Sequence, residues 1–521
     1  MLDKPVAVLP LWAAIVMALA SGPVLDAGFP DKNLWPMTFV GIGLVLFAAR
    51  GRSNGGALLV GFLAGAAFYF THIQWASLFL GPLPMSALSI LEALFFSVGT
   101  LAITLAYRWL PPIVGTGARA TVGLAVVVAG LWTAREAWAS VWPYGGFAWG
   151  RVALSQSESP LAPLFAWLGV SGVSFVMVLV VALTLGAGEY SWRRLRDTPL
   201  SSRIHQRSIA LRSALVPVAV FTLMLNVPMV PLALEGTIRI GAVQGNGKAA
   251  YFDERERGDL LDAQLTASEQ IYGENLDLVV WPEGGTDLSP LSNSYAASAF
   301  DYVVDRANAP LISGDITERD GNVYNSQLLW MPGEGVVDIY DKRHPVPFGE
   351  YVPNREVWAQ FAPDLIGLIA RDYSVGTTDM VFEVNGVTVG VNICFDIVDD
   401  QILTESVEQG AQVIIASSNN ADFGHTDESA QQLTIARIRA LELGRSVVNI
   451  STVGLSAIIA PDGSTIAQLP WYTAAAMIED VPLSDTITPA VLWGRELEWL
   501  VSGIGLGGLI TAALVGRRKN A

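Results

Sequence analysis

Cysteine is nearly absent from this sequence, because Cys394 is the only one in 521 residues. Disulfide-stabilised domains keep their cysteines in pairs, and zinc sites cluster cysteine and histidine at short spacings. One cysteine excludes an internal disulfide framework. The histidines show no metal-binding spacing either, since they are scattered over the chain as His72, His205, His344 and His425. Phosphate-binding glycine loops are also missing, so we expect neither a metal nor another cofactor.

Charge is scarce as well. Charged residues make up 15% of the chain, hydrophobic residues 52%, and the mean hydropathy is +0.43. This composition is typical of membrane proteins, in which a helix of about 20 apolar residues crosses the bilayer. Such segments are centred near residues 15, 41, 68, 95, 127, 173 and 222, and an eighth covers residues 499–515. The first segment is interpreted as a retained helix rather than a signal peptide.

Basic residues in the short connecting loops predict the orientation of these helices, because they remain on the cytoplasmic side. With eight helices, thirteen basic residues of the loops and termini fall on one common side. They are Lys4, Arg50, Arg52, Arg108, Arg119, Arg193, Arg194, Arg196, Arg203, Arg207, Arg517, Arg518 and Lys519. We therefore predict that both termini are cytoplasmic and that residues 235–490 lie outside.

The outer segment has a different composition from the rest of the chain. Residues 235–490 contain 38 acidic and 13 basic residues, whereas residues 1–234 contain 8 acidic and 14 basic residues. An acidic domain lacks the positive surface that nucleic acid requires, so no nucleic-acid partner is expected. The predicted domains are a seven-helix transmembrane domain (1–234), a catalytic domain (235–490), and a C-terminal transmembrane helix with a basic tail (491–521).

The outer segment alternates short apolar runs with helical patterns, which is typical of an α/β domain. Strands are predicted at 237–244, 276–282, 310–316, 324–331, 335–341, 387–393 and 412–418, and helices at 253–271 and 428–445. Three of these strands lead directly to a reactive side chain: Glu283, Lys342 or Cys394. Because ligands and catalytic groups collect beyond the carboxyl ends of strands, we expect these three side chains to converge.

Together, these three residue types suit nucleophilic catalysis. A thiol with an ordinary pKa near 8.5 is mostly protonated at neutral pH, so it needs a base and a nearby cation. Glu283 and Lys342 could supply them. The alternative is that Cys394 is a small buried hydrophobic residue, as many free cysteines are.

Several motifs around these residues resemble those of the nitrilase superfamily of carbon-nitrogen hydrolases. They are WPE at 281–283, DKRHPVPFGEYVP at 341–353 and NICFD at 392–396. Combined with the membrane segments, and with stretches 142–175, 243–246 and 437–463, they resemble the bacterial apolipoprotein N-acyltransferase family. The resemblance implies a membrane α-helical bundle joined to an extracytoplasmic α-β-β-α sandwich.

The same resemblance implies roles for individual residues. Glu283 corresponds to a general base, Cys394 to a nucleophile and Lys342 to the cation that stabilises the oxyanion. Glu350 corresponds to a second, supporting glutamate. Phe395 is also predicted to support the site, through nearby backbone donors.

The expected reaction transfers an acyl chain from a membrane phospholipid, through a thioester, to the α-amino group of diacylglyceryl-cysteine in an apolipoprotein. This would be the last step of lipoprotein maturation, performed by a monomer in the bacterial inner membrane. A membrane-tethered amidase that releases acid to water is the first alternative. A transporter is the second, because Glu92, Arg135 and Glu136 lie within the apolar segments.

The sequence departs from the family pattern beside the nucleophile. Phe395 and Asp396 stand where the family commonly has Tyr-Glu, although Asp396 keeps the negative charge and is predicted to support the site. Asp422 stands where an aromatic residue is usual.

Residues 357–373 form an unusually apolar stretch for an outer loop. We predict that its side chains enter the outer leaflet and bind lipid, with packing on the domain core as the alternative. The residues assigned to this role are Trp358, Phe361, Ile366 and Ile369.

Overall fold

The computed structural model describes residues 7–115, 117–196 and 215–518. Four of the basic residues used to predict orientation, Lys4, Arg203, Arg207 and Lys519, lie outside the described residues. The chain forms two compact units. The first contains Met1–Ser77, Gly81–Met229 and Leu492–Ala521, and the second contains Leu78–Leu80 and Val230–Val491.

The N-terminal half of the chain is helical. Its helices are α1 (Leu11–Asp26), α2 (Pro36–Ala49), α3 (Asn54–His72), α4 (Ser77–Leu80), α5 (Pro82–Trp109), α6 (Pro111–Val114), α7 (Ala118–Ala139), α8 (Leu164–Arg196) and α9 (Leu215–Leu225). Gly169 interrupts α8 with a φ of 65°. A positive φ is accessible to glycine at little cost, so the chain changes direction there.

Five helical segments in the described part of the chain are long and apolar enough to cross a membrane. They are Asn54–His72, Pro82–Val114, Ala118–Ala139, Leu164–Trp192 and Pro489–Gly516. Helices α1, α2 and α9 are shorter and also apolar. These eight segments coincide in position with the eight predicted spans, while the number that crosses the bilayer stays a prediction.

The charged residues within the helical unit are held by neighbouring groups. Glu136 accepts hydrogen bonds from Trp132 Nε1 (2.8 Å) and from the backbone N–H of Val152 (3.2 Å). The guanidinium of Arg135 lies 4.4 Å from the centre of the Phe96 ring. Glu136 is thus held by its own helix and a nearby turn, and Arg135 packs on α5, as polar residues within a helical bundle do, which weakens the transporter alternative.

The second unit contains two six-stranded sheets. Their strands are β1 (Leu234–Gln244), β2 (Leu278–Val280), β3 (Leu311–Arg319), β4 (Asn322–Met331), β5 (Gly335–Asp341), β6 (Val381–Val384), β7 (Val387–Ile393), β8 (Val413–Ser418), β9 (Ser446–Ser451), β10 (Ala457–Ile459), β11 (Thr465–Gln468) and β12 (Ala475–Ser484). The first sheet has the order β12-β1-β2-β3-β4-β5, and the second has the order β11-β10-β9-β8-β7-β6.

Helices cover the two sheets. They are α10 (Asp259–Ser268), α11 (Ser294–Ala307), α14 (Asp400–Glu408) and α15 (Asp427–Leu443). Two short helices, α12 (Arg355–Trp358) and α13 (Pro363–Leu368), lie between β5 and β6, and α16 (Pro489–Arg518) follows the last strand. Apolar faces of α10 and α11 bury Trp281 and Phe300 against the first sheet, while α14 and α15 pack on the second. The predicted α-β-β-α sandwich is confirmed.

All seven predicted strands are present with shifts at their ends, but β6 and β9 to β12 were not predicted. Strands β10 and β11 contain only 3 and 4 residues, too few to show a period. Proline is unfavourable inside a strand, so Pro482 conceals β12 in the sequence. The folded chain tolerates Pro482 because β12 lies at the edge of its sheet.

Candidate active site

The three reactive side chains follow strands of the two sheets. Glu283 comes three residues after β2, Lys342 directly follows β5, and Cys394 directly follows β7. β2 is parallel to β3, while β3, β4 and β5 alternate in direction. Consequently β2 and β5 point the same way, and their carboxyl ends lie at the same edge of the sheet.

Lys342 lies between two glutamates. Its Nζ is 2.8 Å from Glu350 Oε2 and 3.6 Å from Glu283 Oε1, and its side chain is only 1% exposed. Glu350 Oε2 also accepts a hydrogen bond of 2.6 Å from the backbone N–H of Val346. A buried ammonium is tolerated only with such partners, so the two carboxylates fix its position.

Asn325 links the two glutamates and was not singled out from the sequence. Its Nδ2 donates to Glu283 Oε1 and to Glu350 Oε1, both at 2.7 Å. Its backbone oxygen accepts a 2.8 Å hydrogen bond from the N–H of Lys342. Asn325 lies on β4, and nothing in the local pattern of that strand distinguishes it as a site residue.

The strand β3 approaches the Glu283 loop very closely. A β-carbon at Gly314 would lie 2.6 Å from Glu283 Cα and 2.6 Å from Pro282 O. Only glycine fits this contact, so Gly314 lets the loop that carries Glu283 settle onto the sheet.

Cys394 occupies a strained turn. Its φ is 50°, and it begins the 3₁₀ turn Cys394–Val398. A non-glycine residue with such a backbone is uncommon, and strain of this kind is concentrated at functional sites. Cys394 is half-buried rather than enclosed in the core. This exposure favours a reactive thiol over the alternative that Cys394 is only a small buried hydrophobic residue.

Asp396 ties the cysteine turn to the loop that carries Lys342. Fully buried, it accepts hydrogen bonds from Tyr340 Oη (2.7 Å) and from the backbone N–H groups of Ile393 (3.1 Å) and His344 (2.9 Å). Phe395 packs edge-on against the His344 ring, with centroids 5.2 Å apart. Both side chains thus support the turn from behind the nucleophile.

The electrostatics of the cluster favour a neutral thiol beside a charged lysine. Desolvation raises the pKa of Cys394 well above its usual value, and the Glu283 carboxylate adds to this increase. The pKa of Glu283 is also raised, first by desolvation, although Lys342 opposes the change. Desolvation lowers the pKa of Lys342, but Glu350 and Glu283 outweigh it and hold that pKa well above its usual value. The arrangement suits proton transfer from the thiol to Glu283 during attack.

A further acid near the thiol was not predicted. Glu428 on α15 is 2% exposed, and its Oε2 accepts a 2.8 Å hydrogen bond from Asn420 Nδ2. Burial raises its pKa to about 8. Its charge also acts on Cys394, raising the pKa of the thiol. The sequence gives no signal for Glu428, because its helix pattern resembles that of any polar helix face.

The apolar stretch after Glu350 divides into two groups. Ile366 and Ile369 are 8% and 3% exposed and pack with Val352. This burial fits the alternative of packing on the protein: Ile366 lies in α13 and Ile369 directly follows that helix. The lipid-binding role assigned to these two residues stays a prediction. Phe361 and Trp358 are 78% and 38% exposed.

Asp422, the departure from the family pattern, serves an adjacent loop. Its Oδ1 accepts a 2.7 Å hydrogen bond from the N–H of Tyr251, whose Oη donates to Leu368 O at 3.1 Å.

In the described part of the chain, no group of three or more histidine, cysteine, aspartate or glutamate side chains is placed to hold a metal ion.

Family models match both parts of the chain. Residues 21–183 match the apolipoprotein N-acyltransferase N-terminal domain, and residues 239–488 match the carbon-nitrogen hydrolase family. The chain is therefore similar to apolipoprotein N-acyltransferases in its N-terminal part and to carbon-nitrogen hydrolases in its C-terminal part. Glu283, Lys342 and Cys394 all lie within the segment that matches the hydrolase model.

Relatives of this family name are similar over nearly the full length. The apolipoprotein N-acyltransferase of Mycolicibacterium smegmatis is 29% identical, covering 96% of this chain and 85% of that protein. The one from Azotobacter vinelandii is 29% identical, covering 98% of this chain and 96% of that protein. Among solved structures, an amidase from Nesterenkonia sp. AN1 aligns with a TM-score of 0.38 at 15% identity, covering 51% of this chain and 97% of that chain.

Proposed function

We propose that this protein transfers an acyl chain from a membrane phospholipid to the α-amino group of a diacylglyceryl apolipoprotein through a thioester on Cys394. The observation that carries the proposal is the cluster of Cys394, Glu283 and Lys342 at the strand ends of a hydrolase domain, in a chain whose helices can span a membrane. The acyltransferase names of its relatives support the choice of donor and acceptor.

In the first half-reaction, Glu283 accepts the proton of Cys394 while Sγ attacks the ester carbonyl of the phospholipid. Lys342 and backbone N–H groups near Phe395 stabilise the negative charge on the carbonyl oxygen. The ester C–O bond then breaks, and Glu283 returns the proton to the departing oxygen. The products are a thioester and a lysophospholipid.

In the second half-reaction, the unprotonated α-amino group of the acceptor attacks the thioester carbon. A C–N bond forms, Glu283 receives the amine proton, and the C–S bond breaks. The proton then returns to Cys394 and regenerates the thiol. Glu350 and Asn325 act as positioning residues, because they contact Lys342 and Glu283 rather than the reacting atoms.

The exposed part of the apolar stretch supports a lipid substrate. Phe361 and Trp358 form an apolar surface in the loop that follows Glu350, and their rings lie 6.5 Å apart. In the proposed function this surface meets the acyl chains of the donor.

The division at residues 234/235 and 490/491 and the orientation in the membrane belong to the same proposal. Alkaline phosphatase fused after Thr317 should be active and one fused after Arg203 inactive, because that enzyme folds only outside the cytoplasm. The reverse pattern would contradict the proposed orientation.

The covalent step is tested by incubating the protein with phospholipid and no acceptor, quenching in acid and measuring the mass of the Cys394 peptide. An added acyl mass that hydroxylamine removes is expected. If the acceptor becomes acylated without this intermediate, the thioester mechanism is wrong. If acid forms but no amide is made with an acceptor present, the amidase alternative is correct.

A further inference from the structure

The helical unit contains a cavity of about 300 Å³ among the helix ends that carry arginines. It lies where α2 ends, where α5 ends, and where α7 begins. Its polar lining consists of Arg50, Thr104, Tyr107, Arg108, Thr121, Glu189 and Tyr190. All of these residues belong to the helical unit, and none belongs to the cluster around Cys394.

Two arginines lining this cavity retain buried donors. Arg50 is 6% exposed and its Nη1 contacts Glu189 Oε2 at 2.5 Å, yet its Nε has no hydrogen-bond partner in the described part of the chain. Arg108 bonds Asn54 Oδ1 (2.9 Å) and Arg52 O (2.5 Å), and its buried Nε likewise has no partner among the described residues. A buried donor without an acceptor is unfavourable, so an acceptor-rich ligand would be favoured beside these arginines.

The charge of the lining selects an anion. Arg50 and Arg108 provide two positive charges against the single negative charge of Glu189. Arginine pairs well with phosphate because its planar guanidinium offers parallel donors to several oxygens. Basic pockets between membrane helices are also known as binding sites for lipid headgroups.

A second cavity adjoins the first and is mainly apolar, although Arg119 also lines it. It measures about 320 Å³, shares Thr121 and Tyr190 with the first cavity, and is lined by side chains such as Val122, Leu183 and Val216. A free phosphate ion would leave this space unused. An acyl chain would fill this space and gain van der Waals contacts with its apolar walls.

We propose that these two cavities bind one anionic phospholipid. Its phosphate pairs with the guanidinium groups of Arg50 and Arg108, which line the first cavity, and one acyl chain occupies the second cavity beside Val122 and Leu183. This lipid would be bound within the helical unit whether or not the protein performs the proposed transfer reaction.

Native mass spectrometry of the full-length protein in detergent tests this site. The probes are dioctanoyl phosphatidylglycerol, its headgroup without acyl chains, and inorganic phosphate. The lipid should bind at least about tenfold more tightly than either chain-free probe, because only it fills both cavities. Arg108→Gln and Arg50→Gln should each weaken lipid binding about tenfold through the loss of a charge-assisted hydrogen bond.

Arg495→Gln is the matched control, because Arg495 is an exposed arginine of α16 outside both cavities. Its lipid binding should equal that of the unmodified protein. A lipid with a photoreactive acyl chain should label peptides containing Val122 or Leu183, which separates this site from binding at the catalytic cluster.

Three results would overturn the proposal: lipid binding unchanged in both arginine variants, inorganic phosphate binding as tightly as the lipid, or labelling outside both cavities. If Arg50→Gln fails to fold, the more exposed Arg108 decides the question through Arg108→Gln alone.

Discussion

Lys342 and Glu350 should shift the pH dependence of acyl transfer in opposite directions. Glu283 can act as a base only as a carboxylate, so kcat/KM falls as this residue becomes protonated. The ammonium of Lys342 lowers the pKa of Glu283, whereas the carboxylate of Glu350 raises it. Lys342→Met should therefore move the acid limb of the rate profile to higher pH, and Glu350→Gln should move it to lower pH.

The size of the first shift follows from the structure. Charges 3.6 Å apart, as in Lys342 and Glu283, interact by about 5 kcal/mol at an effective dielectric constant near 20. Rearrangement and water entry reduce this, and an opposite charge at such range typically lowers a carboxyl pKa by about 1 to 3. We expect Lys342→Met to raise the acid limb by about 1 to 3 pH units and to cost about 10² to 10³ in plateau rate, because the oxyanion loses its cation.

The shift for Glu350→Gln should be smaller, about 1 pH unit, because Glu350 affects the pKa of Glu283 less than Lys342 does. The assay is kcat/KM for transfer from phospholipid to a diacylglyceryl-peptide amine, measured from acidic to neutral pH. Glu356→Gln is the control, since it makes the same chemical change at an exposed position nearby. If both site variants shift the limb in the same direction, or neither shifts it, Glu283 is not the group whose ionisation limits the reaction.

Four further substitutions test other parts of the molecule. In the folded protein Glu428 has a pKa of about 8, against an ordinary value of 4.5, so its contribution to stability is complete below pH 4.5 and is lost as the pH rises through about 8. Glu428→Gln should therefore flatten the fall of the thermal midpoint with pH. An unchanged slope would contradict the burial of Glu428 as a neutral acid. Phe361→Asp should reduce turnover with a membrane-embedded donor and leave thermal stability unchanged. Ile366→Asp should instead destabilise the fold by several kcal/mol, because it buries a carboxylate. Equal effects of the two substitutions on stability would be inconsistent with the observed exposures. Cys394→Ser should abolish thioester formation while leaving stability within about 1 to 2 kcal/mol, and residual acyl transfer in this variant would argue against a cysteine nucleophile.

The strand ends and the membrane segments were predictable because both depend on local patterns. An apolar run of four to eight residues followed by a reactive side chain indicates a strand that presents this side chain at its carboxyl end. Glu283, Lys342 and Cys394 were identified in this way, and the structure places them after β2, β5 and β7. Segment hydropathy similarly located the apolar helices.

Residues that act through long-range contacts could not be predicted. In the sequence, Asn325 is 42 positions from Glu283 and 25 positions from Glu350. It contacts both glutamates only in the folded chain, where β4 pairs with β3. Glu428 approaches Cys394 only through the packing of α15 on the second sheet. Neither position differs from an ordinary polar residue in its own element.

The apolar stretch after Glu350 shows the same division between local pattern and tertiary contact. Its composition alone indicated a lipid-facing surface, and Phe361 keeps that exposure. Ile366 and Ile369 are buried because they pack against Val352, which is a tertiary contact. Composition determines that a segment must bury apolar surface, whereas only the folded chain decides whether the protein core or a lipid covers each side chain.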